Sequence, residues 1–276
     1  MALVTMKQLL EDAAARKVGV GAFNVGNMEM VKGVVQAAQE LNTPIILQIA
    51  QVRLKHSPLE YMGPMMVQAA KEASVDIAVH LDHGLTLDVV KKALELGFTS
   101  VMYDSSQYCF GENISRTRQV VELASAYGAT VEAELGVVGG SEGGGEDHQV
   151  LYTDPEEAGI FCEETGIDAL AVAIGNAHGT YRQAPKLAFD VLAKIRERTG
   201  IPLVLHGGSG ISDEDFRRAI REGITKVNIA TAGFRALTEA AGQYFRDTEA
   251  PNFFGLNEAM VRGAYENAAR HIRVFQ

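Results

Sequence analysis

Cysteine is almost missing. Cys109 and Cys162 are the only two in 276 residues, too few for a disulfide framework and in keeping with a reducing compartment. Long apolar runs are missing as well: no uncharged stretch approaches the roughly 18 residues a membrane helix needs, and Met1 to Lys7 contains no apolar signal stretch. A soluble, cytoplasmic protein with no membrane partner is the expectation. Basic residues are the minority, 25 Lys and Arg against 35 Asp and Glu, for a net charge of −10. That balance excludes a nucleic-acid surface, which needs clustered cations. It leaves room for an anionic substrate, because backbone N–H groups at a helix start hold a phosphate locally. No single long shift in composition divides the chain, and an apolar fraction of 47% supports one sizeable core, so residues 1–276 read as one domain.

What is present in quantity is a recurring pattern. Short runs rich in Val, Ile and Leu end in polar groups: Val79 to Gly84 in Asp82 and His83, Ser100 to Tyr103 in Asp104, Thr130 to Glu134, Leu170 to Gly175 followed by His178, and Leu203 to Leu205 followed by His206. Buried parallel strands have this composition. Eight are predicted, over residues 18–24, 44–50, 76–81, 99–103, 129–134, 169–174, 202–205 and 224–229. Helical spacing separates most of them, over 6–16, 29–41, 59–73, 86–96, 113–127, 153–165, 186–198 and 213–221. Two further helical patterns follow, at 233–245 and 258–272. The count specifies an α/β fold, a single (β/α)8 TIM barrel with an additional C-terminal helix and tail over 257–276. That helix either covers the barrel or joins a neighbouring subunit. Residues 136–149 carry too many glycines and charges to pack as an element, and read as a mobile active-site loop.

In a barrel the C-terminal strand ends hold the chemistry. His83, His178 and His206 stand at three such ends and could meet there as neutral imidazoles, the donor set of a catalytic zinc with a position left for substrate. The competing reading is three unrelated loop histidines. Asp82 adjoins His83; both reach the cavity only if the strand bends at this point, since neighbours on an extended strand face opposite ways. It would then exchange a proton with a substrate oxygen, or else bond nearby backbone N–H groups. Asp104 and Glu134 add hard oxygen ligands or outer partners, whose shared charge a divalent cation relieves. Gly207 to Asp213 follows the seventh strand and enters a helix, and Asn228 to Ala232 ends the eighth, which together suit a phosphate. The Gly-Lys-Ser/Thr ending of a nucleotide loop is absent. Arg53, Lys55 and His56, after the second strand, are either a solvated surface or an acceptor-contacting loop. His80, Met102 and Tyr103 read as barrel interior or wall, and nothing around Cys109 activates a thiol.

Taken together, Ala22 to Val25, Leu81 to Gly84, Val131 to Gly136, Ala177 to Gly179, Leu205 to Gly210 and Asn228 to Thr231 resemble the class II, metal-dependent ketose-bisphosphate aldolases, the family of fructose- and tagatose-bisphosphate aldolases, over nearly the whole chain. The resemblance implies catalytic zinc on His83, His178 and His206, with Asp104 and Glu134 at an alternative or second divalent position. It implies a donor-phosphate grip by Gly179, Gly207, Ser209, Asn228 and Thr231, with Asn24, Gly208 and Ala230 also binding substrate and Na+ or K+ nearby. It puts a catalytic carboxylate on Glu142, within the loop read as a lid. The implied reaction is reversible cleavage of a ketose phosphate between C3 and C4 to dihydroxyacetone phosphate and an aldehyde. Asp82 takes the C4 hydroxyl proton and Glu142 delivers a proton to C3. A homodimer or homotetramer is the family expectation.

The acceptor end departs from the bisphosphate pattern. Ala50 stands where a hydroxyl residue is usual, and the run from Asn252 to Glu258 lacks the usual arginine. The preferred substrate is therefore a ketose phosphate whose distal end carries no second phosphate, with genuine fructose- or tagatose-bisphosphate cleavage as the alternative. Two other classes stand beside these: a sugar-phosphate isomerase or epimerase, and an inactive sugar-phosphate-binding protein.

Overall fold

In the computed structural model, which describes residues 2–139, 151–179, 181 and 185–276, the apolar runs become β1 (Val20–Asn24), β2 (Ile45–Ala50), β3 (Ile77–Gly84), β4 (Ser100–Tyr103), β5 (Thr130–Leu135), β6 (Ala169–Val172), β7 (Leu203–Leu205) and β8 (Ile224–Ile229). Each pairs in parallel with the next and β8 with β1, so the sheet closes on itself as a barrel. Helices α1 (Met6–Arg16), α2 (Met28–Glu40), α3 (Leu59–Glu72), α4 (Leu87–Glu95), α5 (Phe110–Ser125), α6 (Pro155–Thr165), α7 (Phe189–Thr199), α8 (Asp213–Arg221), α9 (Thr231–Asp247) and α10 (Phe253–Phe275) complete it. This is the expected TIM barrel with an extra C-terminal helix.

Strand alternation sorts the side chains into two environments. Phe23, Ile45, Leu47, Val79, Val101, Val131, Leu170, Leu203 and Val227 face outward and merge with the helices into the main core. Inward-facing Val20, Ala22, Ile46, Ala78, Ala169, Ala171 and Val204 form a smaller cluster at the barrel floor, closed from below by Met6, Leu9, Leu10 and Ala13 of α1. Thr5 starts that helix by accepting a hydrogen bond from Gln8 N at 3.4 Å. Above this floor the interior turns polar. Gln48, His80, Asp82, Ser100, Glu132, Glu134, His206, Lys226 and Asn228 are all buried, an arrangement tolerated only when such groups partner one another.

Three of the departures from the sequence expectation have clear local reasons. β3 runs on to Gly84 instead of stopping at Leu81, because His83 adopts φ 42° and the pairing with β4 shifts between Leu81 and Gly84. α7 begins at Phe189, since Ala188 N is engaged by Ile174 O at 2.8 Å. α10 begins at Phe253, five residues before Glu258, because Asn252 accepts from Gly255 N at 3.0 Å and caps it there.

The extra helix is seated by glycines. A Cβ on Gly33 of α2 would fall 2.8 Å from Ala264 Cβ and Tyr265 N of α10, and one on Gly263 would fall 2.7 Å from Ala240 Cβ of α9. α10 thus lies in close backbone contact with α2 and α9. Gly33→Leu is expected to cost about 1–3 kcal/mol by overpacking and to lower the thermal midpoint by several degrees. Gly111→Ala, in α5 with nothing within 4 Å of an added Cβ, should leave the midpoint unchanged or slightly raised. Thermal melts followed by circular dichroism check both.

Candidate metal centre and proton-transfer site

The bend in β3 makes the site. Asp82 points inward with His80 by ordinary alternation, and the positive φ of His83 turns the next side chain inward as well. His178, on the loop after β6, and His206, directly after β7, bring two more imidazoles to the same place. His83 Nε2 lies 3.2 Å from His178 Nε2 and 2.9 Å from His206 Nδ1. Four donors at about 2.0–2.1 Å around one tetrahedral ion stand roughly 3.3 Å apart. The observed spacing is thus close to that of ligands sharing an ion.

Outer partners orient two of the three rings. Asp104 Oδ2 meets His83 Nδ1 at 2.8 Å, while Ser106 N and Oγ donate to Asp104 Oδ1. Glu132 Oε1 meets His206 Nε2 at 2.8 Å. A carboxylate behind an imidazole fixes the tautomer and leaves the opposite nitrogen to bind a metal. Glu134 is anchored through Val138 N to Oε1 at 3.2 Å. Its Oε2 is buried without a hydrogen-bond partner among the described residues, 3.7 Å from His206 Nδ1. His83, His178 and His206 form one cluster with ligand geometry and His83, Asp104 and Glu134 a second, overlapping one.

The charge balance of the pocket fits a cation. Burial opposes charge on His83, yet Asp82, Asp104 and Glu134 outweigh it and raise its pKa to about 10. Burial and the charge on His83 push His178 down to about 3 and His206 well below the usual range. Burial and Asp104 raise Glu134 to about 8. In protein alone the carboxylates therefore draw a proton onto one imidazole and another onto Glu134. A divalent cation among the same donors supplies that positive charge without either proton. The nitrogen and oxygen donor set, the orphaned Glu134 Oε2 and the charge deficit all fit such an ion.

Beside the imidazoles, Asp82 is gripped from both sides. Asn24 Nδ2 donates to Oδ2 at 2.9 Å and Asn228 Nδ2 to Oδ1 at 3.1 Å, and Gln48 Nε2 donates to Asn24 Oδ1 at 2.7 Å. Burial would raise Asp82, but His83, His206 and Lys226 lower it below the ordinary carboxylate value. Asn24 and Asn228, expected to contact substrate, thus first of all hold the carboxylate.

The loops after β6, β7 and β8 meet on the neighbouring side. Gly207 has φ 65° and Gly208 leaves no room for a Cβ beside Asn228 O. Tyr181 Oη donates to Gly207 O at 2.9 Å and accepts from Ala177 N at 2.8 Å, while Ser209 Oγ accepts from Ala232 N at 2.9 Å. Gly207, Gly208, Ser209, Ala230 and Thr231 thereby come together near the start of α9, and Gly179 follows Ala177 and His178 in the loop after β6. On the rim, the Arg53 guanidinium stands 5.5 Å from the Phe234 ring centre. Val137 bridges Leu151, and Gly139 bridges Ala177. Glu142 and the rest of the expected loop, residues 140–149, lie outside the described residues.

Glu132, Lys226 and Gln48 were not singled out from the sequence. The signal that could have found them is alternation. Each stands two residues before a strand-end position that faces the barrel, namely Glu134, Asn228 and Ala50, and so faces inward too.

Comparison with known proteins agrees with this geometry. The family profile described as Fructose-bisphosphate aldolase class-II matches residues 4–276. A fructose-bisphosphate aldolase of Geobacillus stearothermophilus is 44% identical over 248 residues, covering 87% of this chain and 85% of that one. One from Giardia intestinalis is 42% identical over 273 residues, covering 89% and 84%. The crystal structure of the YdjI aldolase from Escherichia coli K12 superposes with a TM-score of 0.89 at 36% identity, covering 99% of this chain and 97% of that one.

Proposed function

The chain belongs to the class II fructose-bisphosphate aldolase family, and from that premise we propose that it reversibly cleaves a ketose phosphate to dihydroxyacetone phosphate and an aldehyde. The observation that carries the reading is the convergence of three imidazole nitrogens at 2.9–3.2 Å beside a doubly held carboxylate.

His83, His178 and His206 would hold a divalent ion, zinc by their donor set, with Glu134 within reach and Asp104 behind His83. When bound, the ion supplies electrophilic pull on the donor carbonyl, lowering the cost of the carbanion left as the carbon–carbon bond breaks. Asp82 receives the C4 hydroxyl proton in cleavage and returns it in synthesis. Its two amide partners fix the carboxylate where that proton must arrive. Glu142 is assigned the proton transfer at C3. Gly179, Gly207, Ser209 and Thr231 grip the donor phosphate through loop N–H and hydroxyl groups, with a monovalent cation nearby to offset its charge.

For the acceptor, the reading is an aldehyde without a second phosphate. Ala50 offers no hydroxyl at the end of β2, and the run from Asn252, which caps α10, to Glu258 contains no arginine. The names of the 42–44% identical relatives and the rim position of Arg53 favour the second reading, a bisphosphate substrate. Incubating the zinc-loaded protein with dihydroxyacetone phosphate and paired phosphorylated and unphosphorylated aldehydes separates the two. The expected result is carbon–carbon bond formation with faster turnover of the unphosphorylated partners. A strong preference for phosphorylated aldehydes would reverse the acceptor assignment. Products that keep the substrate's carbon count would instead mark an isomerase. Oligomerisation as a dimer or tetramer is supported by exposed Phe245, Phe253 and Phe254 around the α9–α10 turn, and sedimentation equilibrium tests it.

A further inference from the structure

Beneath the three imidazoles lies a charged layer that the aldol reaction does not use. Lys226 of β8 and Glu132 of β5 are both fully buried inside the barrel, and Lys226 Nζ donates to Glu132 Oε2 at 2.8 Å. The other oxygen, Oε1, meets His206 Nε2 at 2.8 Å. Deeper still, Ser100 Oγ lies 2.7 Å from His80 Nδ1 and 3.4 Å from Met6 Sδ. The other ring nitrogen, His80 Nε2, faces Glu132 Oε2 across 3.7 Å without a hydrogen bond.

His206 differs from its two companions in one respect. His83 and His178 present Nε2 to the centre, whereas His206 presents Nδ1. An imidazole can turn either nitrogen forward, so something below must hold Nε2–H down. The acceptor is Glu132, and taking the cation away from a buried ion pair leaves an uncompensated charge that is strongly destabilising. Among the described residues, Lys226 supplies that cation, on Oε2 at 2.8 Å.

We infer that Lys226 is a positioning residue for the metal centre: its ammonium pins Glu132, and Glu132 holds His206 with Nε2–H below and the Nδ1 lone pair facing the ion. This inference rests on the metal reading above. It adds a residue that touches neither ion nor substrate and acts through two side chains. The outer hydrogen bond to a metal-bound histidine typically changes metal affinity by about 10–100-fold, and Lys226 sets that bond here. With methionine at 226, Glu132 keeps the His206 Nε2–H donor at 2.8 Å but loses its counter-charge. With glutamine at 132 as well, the charge is gone. The amide oxygen still accepts from His206 Nε2–H.

The experiment is zinc affinity measured by competition with a chromophoric chelator, together with 15N shifts of labelled histidine in the zinc-loaded protein. Wild type should show His206 protonated at Nε2 and metal-bound at Nδ1. Lys226→Met should weaken zinc binding by about 10–100-fold. Adding Glu132→Gln should restore affinity to within a few-fold of wild type, and adding Glu132→Met should not. Should Lys226→Met fail to fold, the two double variants are both neutral and still decide the matter. At least tenfold tighter binding with glutamine than with methionine supports the inference; equal binding overturns it. Unchanged affinity in Lys226→Met, or His206 bound through Nε2 in wild type, overturns it too. A wild type that takes up no zinc overturns the metal reading itself, which distinguishes that failure from this one.

Discussion

Asp82→Asn should lower kcat by about 10²–10⁴-fold while leaving bound zinc and the thermal midpoint near wild type. The substitution preserves shape and sits between the same two amides, Asn24 at 2.9 Å and Asn228 at 3.1 Å. It removes the one property the reaction needs, an ionised oxygen that can take up the hydroxyl proton. KM should change little, because loss of a group that acts only as the proton moves appears in kcat. Steady-state kinetics with metal analysis of the same samples checks this. A fall in kcat matched by an equal fall in zinc content would place Asp82 in the metal centre instead.

Metal removal is the second large effect. Treatment with a strong chelator should bring cleavage below about 1% of the starting rate, since electrophilic catalysis by a divalent ion is worth several kcal/mol. Zinc should restore it. The fold should survive the treatment. The main core lies outside the strands and the floor is closed by α1, so neither depends on the centre. Far-UV circular dichroism should therefore stay constant while activity falls and returns. Full activity after verified metal loss would reject the aldol mechanism assigned to these residues.

The fold was legible because it is written in periodicities. Eight short Val-, Ile- and Leu-rich runs, most of them separated by segments of helical spacing, leave few alternatives to a closed parallel barrel. The imidazoles were legible for a simpler reason: each follows an apolar run at the end where a barrel keeps its chemistry. What the pattern concealed is local or long-range. The requirement that β3 bend between Asp82 and His83 could be stated from alternation, but the φ of 42° at His83 and the shifted pairing with β4 depend on the neighbouring strand. The early start of α10 rests on a single cap at Asn252. The Lys226–Glu132–His206 chain joins β8, β5 and β7, and no local window of sequence contains it. Asn24 and Asn228 show the same limit, since residues 204 positions apart become partners of one carboxylate only once β1 and β8 close the barrel on either side of the inward-facing groups.

Anomalous diffraction from zinc-loaded crystals at the zinc edge locates the ion itself. One dominant peak about 2.0–2.1 Å from His83 Nε2, His178 Nε2 and His206 Nδ1 is expected, and chelation should remove it together with activity. An active, zinc-loaded protein with no peak between these three rings would contradict this placement of the metal.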